Sequence, residues 1–159
     1  MKITWLEPAL LAASSIPIDI KDLRSLREQG VGAIISLTEQ PLTIFKSITP
    51  DAFGALDITY LHVPIPDHHP PRLEQAHVIL RFIELMRERQ RAVFVHCHAG
   101  VGRTGTILHL YYLAQGMALE AAHEQVRRRR PQSTLLSDKQ RAFLSEYARA
   151  RGEALSESG

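Results

Sequence analysis

A chain of 159 residues, 45% of them hydrophobic and 23% charged, has the size and balance of one domain around one buried core. Its formal net charge of +2 is too small to mark a nucleic-acid-binding surface, and its single cysteine excludes an intrachain disulfide framework or a cysteine-based zinc site. A lone thiol fits a reducing compartment, so the cytoplasm is the expected location.

The leading stretch MKITWLEPALLAASSIP starts like a signal peptide, but Glu7 and Pro8 interrupt the apolar run such a peptide needs. No segment approaches the length of a membrane span. Within that stretch, ITW and ALLAA read as short strands at the edge of a sheet. DIKDLRSLREQG places Ile20, Leu23 and Leu26 at helical spacing and ends at Gly30, a residue suited to a left-handed stop. GAIISL (32–37) is a continuous apolar run of the kind found in buried strands, and ITYLHV (58–63) is another strand. PIPDHHPP, with Pro64, Pro66, Pro70 and Pro71, must be a loop.

RLEQAHVILRFIELMRERQ predicts an amphipathic helix with Leu73, Ala76, Leu80, Ile83 and Met86 on one face. AVFV (92–95) predicts a buried strand, TGTILHLYYLAQG a buried helix ending at Gly116, and ALEAAHEQVRRRR a helix stopped by Pro131. SDKQRAFLSEYARAR, with Ser137 as N-cap, predicts the last helix. The expected domain spans residues 1–151, and the polar remainder, 152–159, is expected to be a flexible tail. Strands alternating with helices predict an α/β fold, a three-layer sandwich whose mostly parallel central sheet is flanked by helices. Ligands of such sheets bind beyond the carboxyl ends of the strands.

VHCHAGVGRTGT (95–106) stands at such an end and holds the only cysteine. From Cys97 to Arg103 the spacing is C-x5-R, followed at once by Thr104. Between a strand and a helix, seven residues form a loop whose amides, from His98, Ala99, Gly100, Val101, Gly102 and Arg103, can all turn inward. Gly100 and Gly102 permit the backbone path and a close approach to a ligand. Inward N–H groups at a helix N-terminus make an anion site of phosphate size, and Arg103 adds a planar fork that matches two oxygens of a tetrahedral oxyanion. The same field favours Cys97 as thiolate, with the Thr104 hydroxyl able to donate to sulfur and His96 able to orient the loop. Attack on phosphorus through a phosphocysteine intermediate follows. Ester cleavage also needs a proton for the leaving oxygen, and Asp67, on the proline-braced loop after a strand, is the candidate.

These residues resemble the cysteine-dependent protein tyrosine phosphatase superfamily, and within it the small atypical dual-specificity phosphatases of the low-molecular-mass Z type. The resemblance covers nearly the whole chain. It implies a protein tyrosine phosphatase-like fold, with Cys97 as nucleophile, Arg103 as phosphate clamp, Asp67 as general acid and Thr104 as the hydroxyl that stabilises the thiolate. It also implies that Gln140, in the last helix, helps to place the hydrolytic water, although its spacing from Pro131 is one residue longer than the pattern. No lysine stands in the loop, which argues against a highly phosphorylated lipid headgroup.

The expected activity is metal-independent and cofactor-free hydrolysis of phosphotyrosine, with phosphoserine and phosphothreonine, in proteins or peptides. Inhibition by vanadate or phosphate is expected, with no nucleic-acid or membrane partner and a monomeric chain. The alternatives are a phosphatase of a small phosphate ester, lipid phosphate or RNA 5′-triphosphate, and a phosphate-binding module without turnover. Eight histidines include no pair at metal-ligand spacing. The run Arg127–Arg130 reads as a solvated helix face or an attractor of anionic substrates, and Glu39 as a loop carboxylate or part of the site rim.

Overall fold

The computed structural model describes the backbone of residues 1–158, and its side chains through residue 154. Five strands form one sheet in the order β1-β2-β5-β3-β4: β1 Thr4–Glu7, β2 Leu11–Ser14, β3 Val31–Ser36, β4 Thr59–His62 and β5 Ala92–His96. Only the β1–β2 pair is antiparallel. Helices α1 Ile20–Glu28, α2 Ala52–Ala55, α3 Leu73–Glu88, α4 Gly102–Ala114, α5 Leu119–Arg129 and α6 Asp138–Ser158 complete the chain.

Alternation along the strands explains why they read as unbroken apolar runs. Leu11, Ala13, Ala33, Ile35, Val93 and Val95 face one way, into a core closed by α3, α4, α5 and α6. Ala12, Ile34 and Phe94 face the other way, against Leu23 and Leu26 of α1 and Phe53 of α2. Both faces are covered, so the strands carry hydrophobic side chains at successive positions, as a buried parallel sheet requires.

Two expectations are corrected. Both early strands were expected at the sheet edge, but β2 lies between β1 and β5 and is buried throughout, leaving β1 alone at that edge. On α3 the buried stripe is Ala76, Ile79, Ile83 and Met86, while Leu73 is 54% exposed because it opens the helix beyond the core. Helix α6 continues as far as Ser158, into the stretch expected to be a tail, and residue 159 lies outside the described residues. Arg149 pairs with Glu146 and Glu153 on adjoining turns, which carries α6 past residue 151.

The strand register matters most for the site. Ser14 pairs with His96, His96 with Ser36, and Ser36 with His62, so four strand ends lie in one row. Cys97 follows that row directly, and the loop carrying Asp67 leaves it from β4.

Candidate active site

Cys97 is 3% exposed at the head of the loop that joins β5 to α4. The Thr104 hydroxyl, in the first turn of α4, donates to its sulfur across 3.1 Å. The carbonyls of the loop are drawn into the protein: Cys97 O accepts from His96 Nδ1 at 2.8 Å, His98 O from the Ile16 amide at 2.9 Å, and Gly100 O from Ser133 Oγ at 2.8 Å. In a trans peptide the N–H points opposite to the C=O of the same unit. Pinning these oxygens therefore turns the amides of His98, Ala99 and Val101 the other way, to where an oxyanion would sit.

Gly100 has φ +75°, and a Cβ there would come within 2.5 Å of Ser14 O. Gly102 lies outside the left-handed region, contrary to its expected conformational role. What it provides is room: a Cβ at Gly102 would stand 3.0 Å from Gln140 Oε1.

Arg103 is 4% exposed. Its Nη1 donates to Ile65 O at 2.9 Å and to Glu39 Oε1 at 2.5 Å, and Nη2 lies 3.6 Å from Asp67 Oδ1. Its Nε is buried with no hydrogen-bond partner among the described residues. A buried unsatisfied donor costs about 1–3 kcal/mol, and a bound oxyanion would remove that cost. A bond from Glu39's own backbone, then the Arg103 bond, hold the Glu39 carboxyl below the usual carboxylate range. Glu39 thus belongs to the rim and holds the guanidinium.

Asp67 is exposed, accepts from the His68 amide at 2.9 Å, and sits on a loop that docks on the start of α6. Ser137 Oγ donates to His68 O at 2.7 Å, and Gln140 Nε2 to His69 O at 3.3 Å. Gln140 is buried and its Oε1 accepts from the Ser137 amide at 2.9 Å. Cys97, Arg103, Asp67 and Gln140 line one cavity of about 540 Å³. Asp51 and Asp57, the sequence neighbours that could rival Asp67, do not line it; Asp57 pairs with Arg27 and Arg91.

His96 is fully buried, and desolvation outweighs its bond to Cys97 O, pushing its pKa down to about 4. The ring is therefore neutral near pH 7. Since Nδ1 donates to a carbonyl, Nε2 accepts, and its partner is the Ser36 hydroxyl at 2.5 Å.

Tyr60 and Arg130 support the site from outside the motif, and the sequence did not single them out for it. Tyr60 OH donates to Ser36 Oγ at 2.9 Å and so extends the His96 chain across the sheet. Arg130, buried beneath the loop, donates from Nε to Gly100 O at 3.3 Å and to Ser133 Oγ at 3.0 Å. Its charge is held back by desolvation, with Cys97 opposing. The basic run therefore divides: Arg127 and Arg128 pair with Glu124 on an exposed helix face, while Arg130 turns inward. The helix stop at Pro131 was the only sequence sign that Arg130 leaves the helical stripe.

Residues 12–117 match the family described as "Polymorphic toxin system, DSP-PTPase phosphatase". The chain is similar to phosphatidylglycerophosphate phosphatase PTPMT2 of Arabidopsis thaliana, 32% identical over 140 residues, covering 87% of this chain and 59% of that one. It is similar to human dual specificity protein phosphatase 15, 30% identical over 116 residues, covering 72% of this chain and 36% of that one. The curated relatives are thus longer than the part this chain spans. The crystal structure of Tk-PTP in its active form superposes with a TM-score of 0.81 at 28% identity, covering 92% of this chain and 96% of the other.

Proposed function

The chain belongs to the DSP-PTPase phosphatases, small dual-specificity members of the cysteine-dependent protein tyrosine phosphatase superfamily, and from that premise we propose that it hydrolyses phosphotyrosine, with phosphoserine and phosphothreonine, in protein substrates. One observation carries this reading: the sulfur of Cys97, the guanidinium of Arg103 and the carboxyl of Asp67 share the wall of one cavity, with Thr104 donating to the sulfur. A binding module has no use for a nucleophile and a proton donor together.

The phosphate enters with its non-bridging oxygens toward the loop amides and Arg103. Cys97 thiolate attacks phosphorus, the bond to the substrate oxygen breaks, and Asp67 gives that oxygen its proton. A phosphocysteine remains. Water, placed with the help of Gln140, then attacks phosphorus as Asp67 takes a proton back. Sulfur leaves as thiolate, stabilised by the Thr104 hydroxyl, and inorganic phosphate is released. Arg103 and the amides meet the charge that develops on phosphorus, so the proposed cycle uses no metal.

A phosphomonoester on a lipid is the second reading, favoured by the similarity to a phosphatidylglycerophosphate phosphatase over 87% of this chain. Turnover of phosphopeptides, compared with phosphatidylglycerophosphate in mixed micelles, decides between them through kcat/KM. A Cys97→Ser control separates either from a binding module.

A further inference from the structure

Next to the catalytic cavity, and sharing Thr134, Leu136 and Arg141 with its wall, a second cavity of about 330 Å³ opens among residues of α4, α5 and α6. His109 lines it at 1% exposure. Its Nδ1 is 2.6 Å from Gly105 O, one turn back on α4. A carbonyl only accepts, so Nδ1 carries the proton and Nε2 keeps its lone pair in the neutral ring. That Nε2 lies 3.2 Å from Nδ1 of His123, which lies exposed on α5. Glu120, one turn before His123, lines the same cavity.

We propose that His109 Nε2 and His123 Nδ1, completed by Glu120, form a site for a divalent transition metal of the zinc class. Two imidazole nitrogens on one tetrahedral zinc stand roughly 3.3 Å apart, close to the separation already present. A backbone carbonyl behind the buried imidazole is the usual outer support of a metal-bound histidine, fixing its tautomer and orientation. Two imidazoles and a carboxylate select zinc and its neighbours over calcium or magnesium, which take oxygen ligands.

Binding balances simply. The proton now held between the two rings, on His123 Nδ1, moves by way of water to His123 Nε2, so that both rings stay neutral and both facing lone pairs turn to the metal. Among the described residues no three metal-binding side chains already converge, so the third position is filled when the exposed Glu120 side chain swings inward, with water completing the shell. Arg141 also lines the cavity, but its Nη2 is engaged by Asp138 at 3.1 Å. The two histidines stand fourteen positions apart, and no sequence spacing marks the pair; the packing of α4 on α5 creates it.

The test is calorimetric titration of Zn²⁺ into the full chain carrying Cys97→Ser, which removes the thiolate as a competing ligand. One zinc per chain should bind with micromolar or tighter affinity. Adding His123→Ala should weaken binding by at least the roughly 10–100-fold caused by losing an outer support alone. Glu120→Gln should weaken it a few-fold, and His69→Ala, on the loop beside the catalytic cavity, should leave it unchanged. Circular dichroism checks that each variant is folded, and His123, being exposed, is replaceable without a core defect. Co²⁺ should give tetrahedral visible absorption that His123→Ala abolishes. Absence of binding, binding that survives His123→Ala, or binding lost with His69→Ala would overturn the assignment.

Discussion

Ser36 Oγ stands 2.5 Å from Nε2 of His96, and the direction of that bond is set from both ends. His96 donates from Nδ1 to Cys97 O, so its Nε2 must accept; Ser36 in turn accepts from Tyr60, whose oxygen receives the Leu42 amide at 2.9 Å. The chain runs across β4, β3 and β5 and ends on the peptide that carries the cysteine. Ser36→Ala would leave a buried ring nitrogen without its donor, at about 1–3 kcal/mol of stability. Denaturant unfolding should show that loss, with kcat falling several-fold more than KM rises. Ser36→Thr should restore most of both.

Acid should weaken the fold through the same ring. The folded pKa of His96 is about 4, below the unfolded value of about 6.5. Between those values the unfolded chain binds a proton that the folded chain refuses, so stability falls as pH drops from about 6.5 toward 4, and is flat above that window for this group. A difference of this size amounts to roughly 3 kcal/mol at most. Burial lowers the His109 pKa in the same direction. Unfolding free energies measured across this range should show the slope, and His96→Asn should reduce it; an unchanged slope would assign the acid loss to carboxylates.

Cys97→Ser should abolish turnover, since a serine hydroxyl stays protonated in the same cradle. Vanadate and phosphate should still bind, because the loop amides and Arg103 remain. Gly100→Ala should do the opposite damage. Its Cβ meets the Ser14 carbonyl, and the φ of +75° strains any side chain, so oxyanion binding should be lost along with about 1–3 kcal/mol of stability. Gly102→Ala meets only the end of the Gln140 side chain and should be the milder lesion. Equilibrium vanadate binding to the three variants separates nucleophile from cradle.

Arg103→Lys keeps the charge and loses the fork that reaches Ile65 O, Glu39 and the neighbourhood of Asp67 together. The rate should fall by at least about 10²-fold, the cost of one oxyanion donor, with oxyanion affinity falling too. Glu39→Gln keeps an acceptor for the guanidinium and should cost far less. Steady-state kinetics with an aryl phosphate measure both; near wild-type kinetics for Arg103→Lys would mean that the arginine supplies charge alone.

Asp67→Asn should lower kcat by roughly 10²–10⁴-fold on phosphoserine peptides, whose leaving group needs the proton. The loss should shrink for an aryl phosphate with a stable leaving group. A variant that keeps its rate on phosphoserine peptides would move the proton donor elsewhere.

The chemistry of this protein is legible in one stretch of sequence because its parts are local. Cys97, the glycine-bearing loop, Arg103 and Thr104 lie within eight consecutive residues between a strand and a helix, where backbone geometry alone brings them together. Strand and helix patterns are legible for the same reason, since burial on two sheet faces writes itself into continuous apolar runs. Relationships over long separations are not: the place of β2 inside the sheet, Glu39 on Arg103, Tyr60 and Ser36 behind His96, Arg130 under Gly100, and His109 against His123. Each joins segments that share no spacing, and each depends on strand register and helix packing. An arginine after three others, or a serine closing a strand, carries no mark of the partner it will meet. Only the folded chain, by drawing those groups out of water and requiring a hydrogen bond for each, decides which of them hold the site.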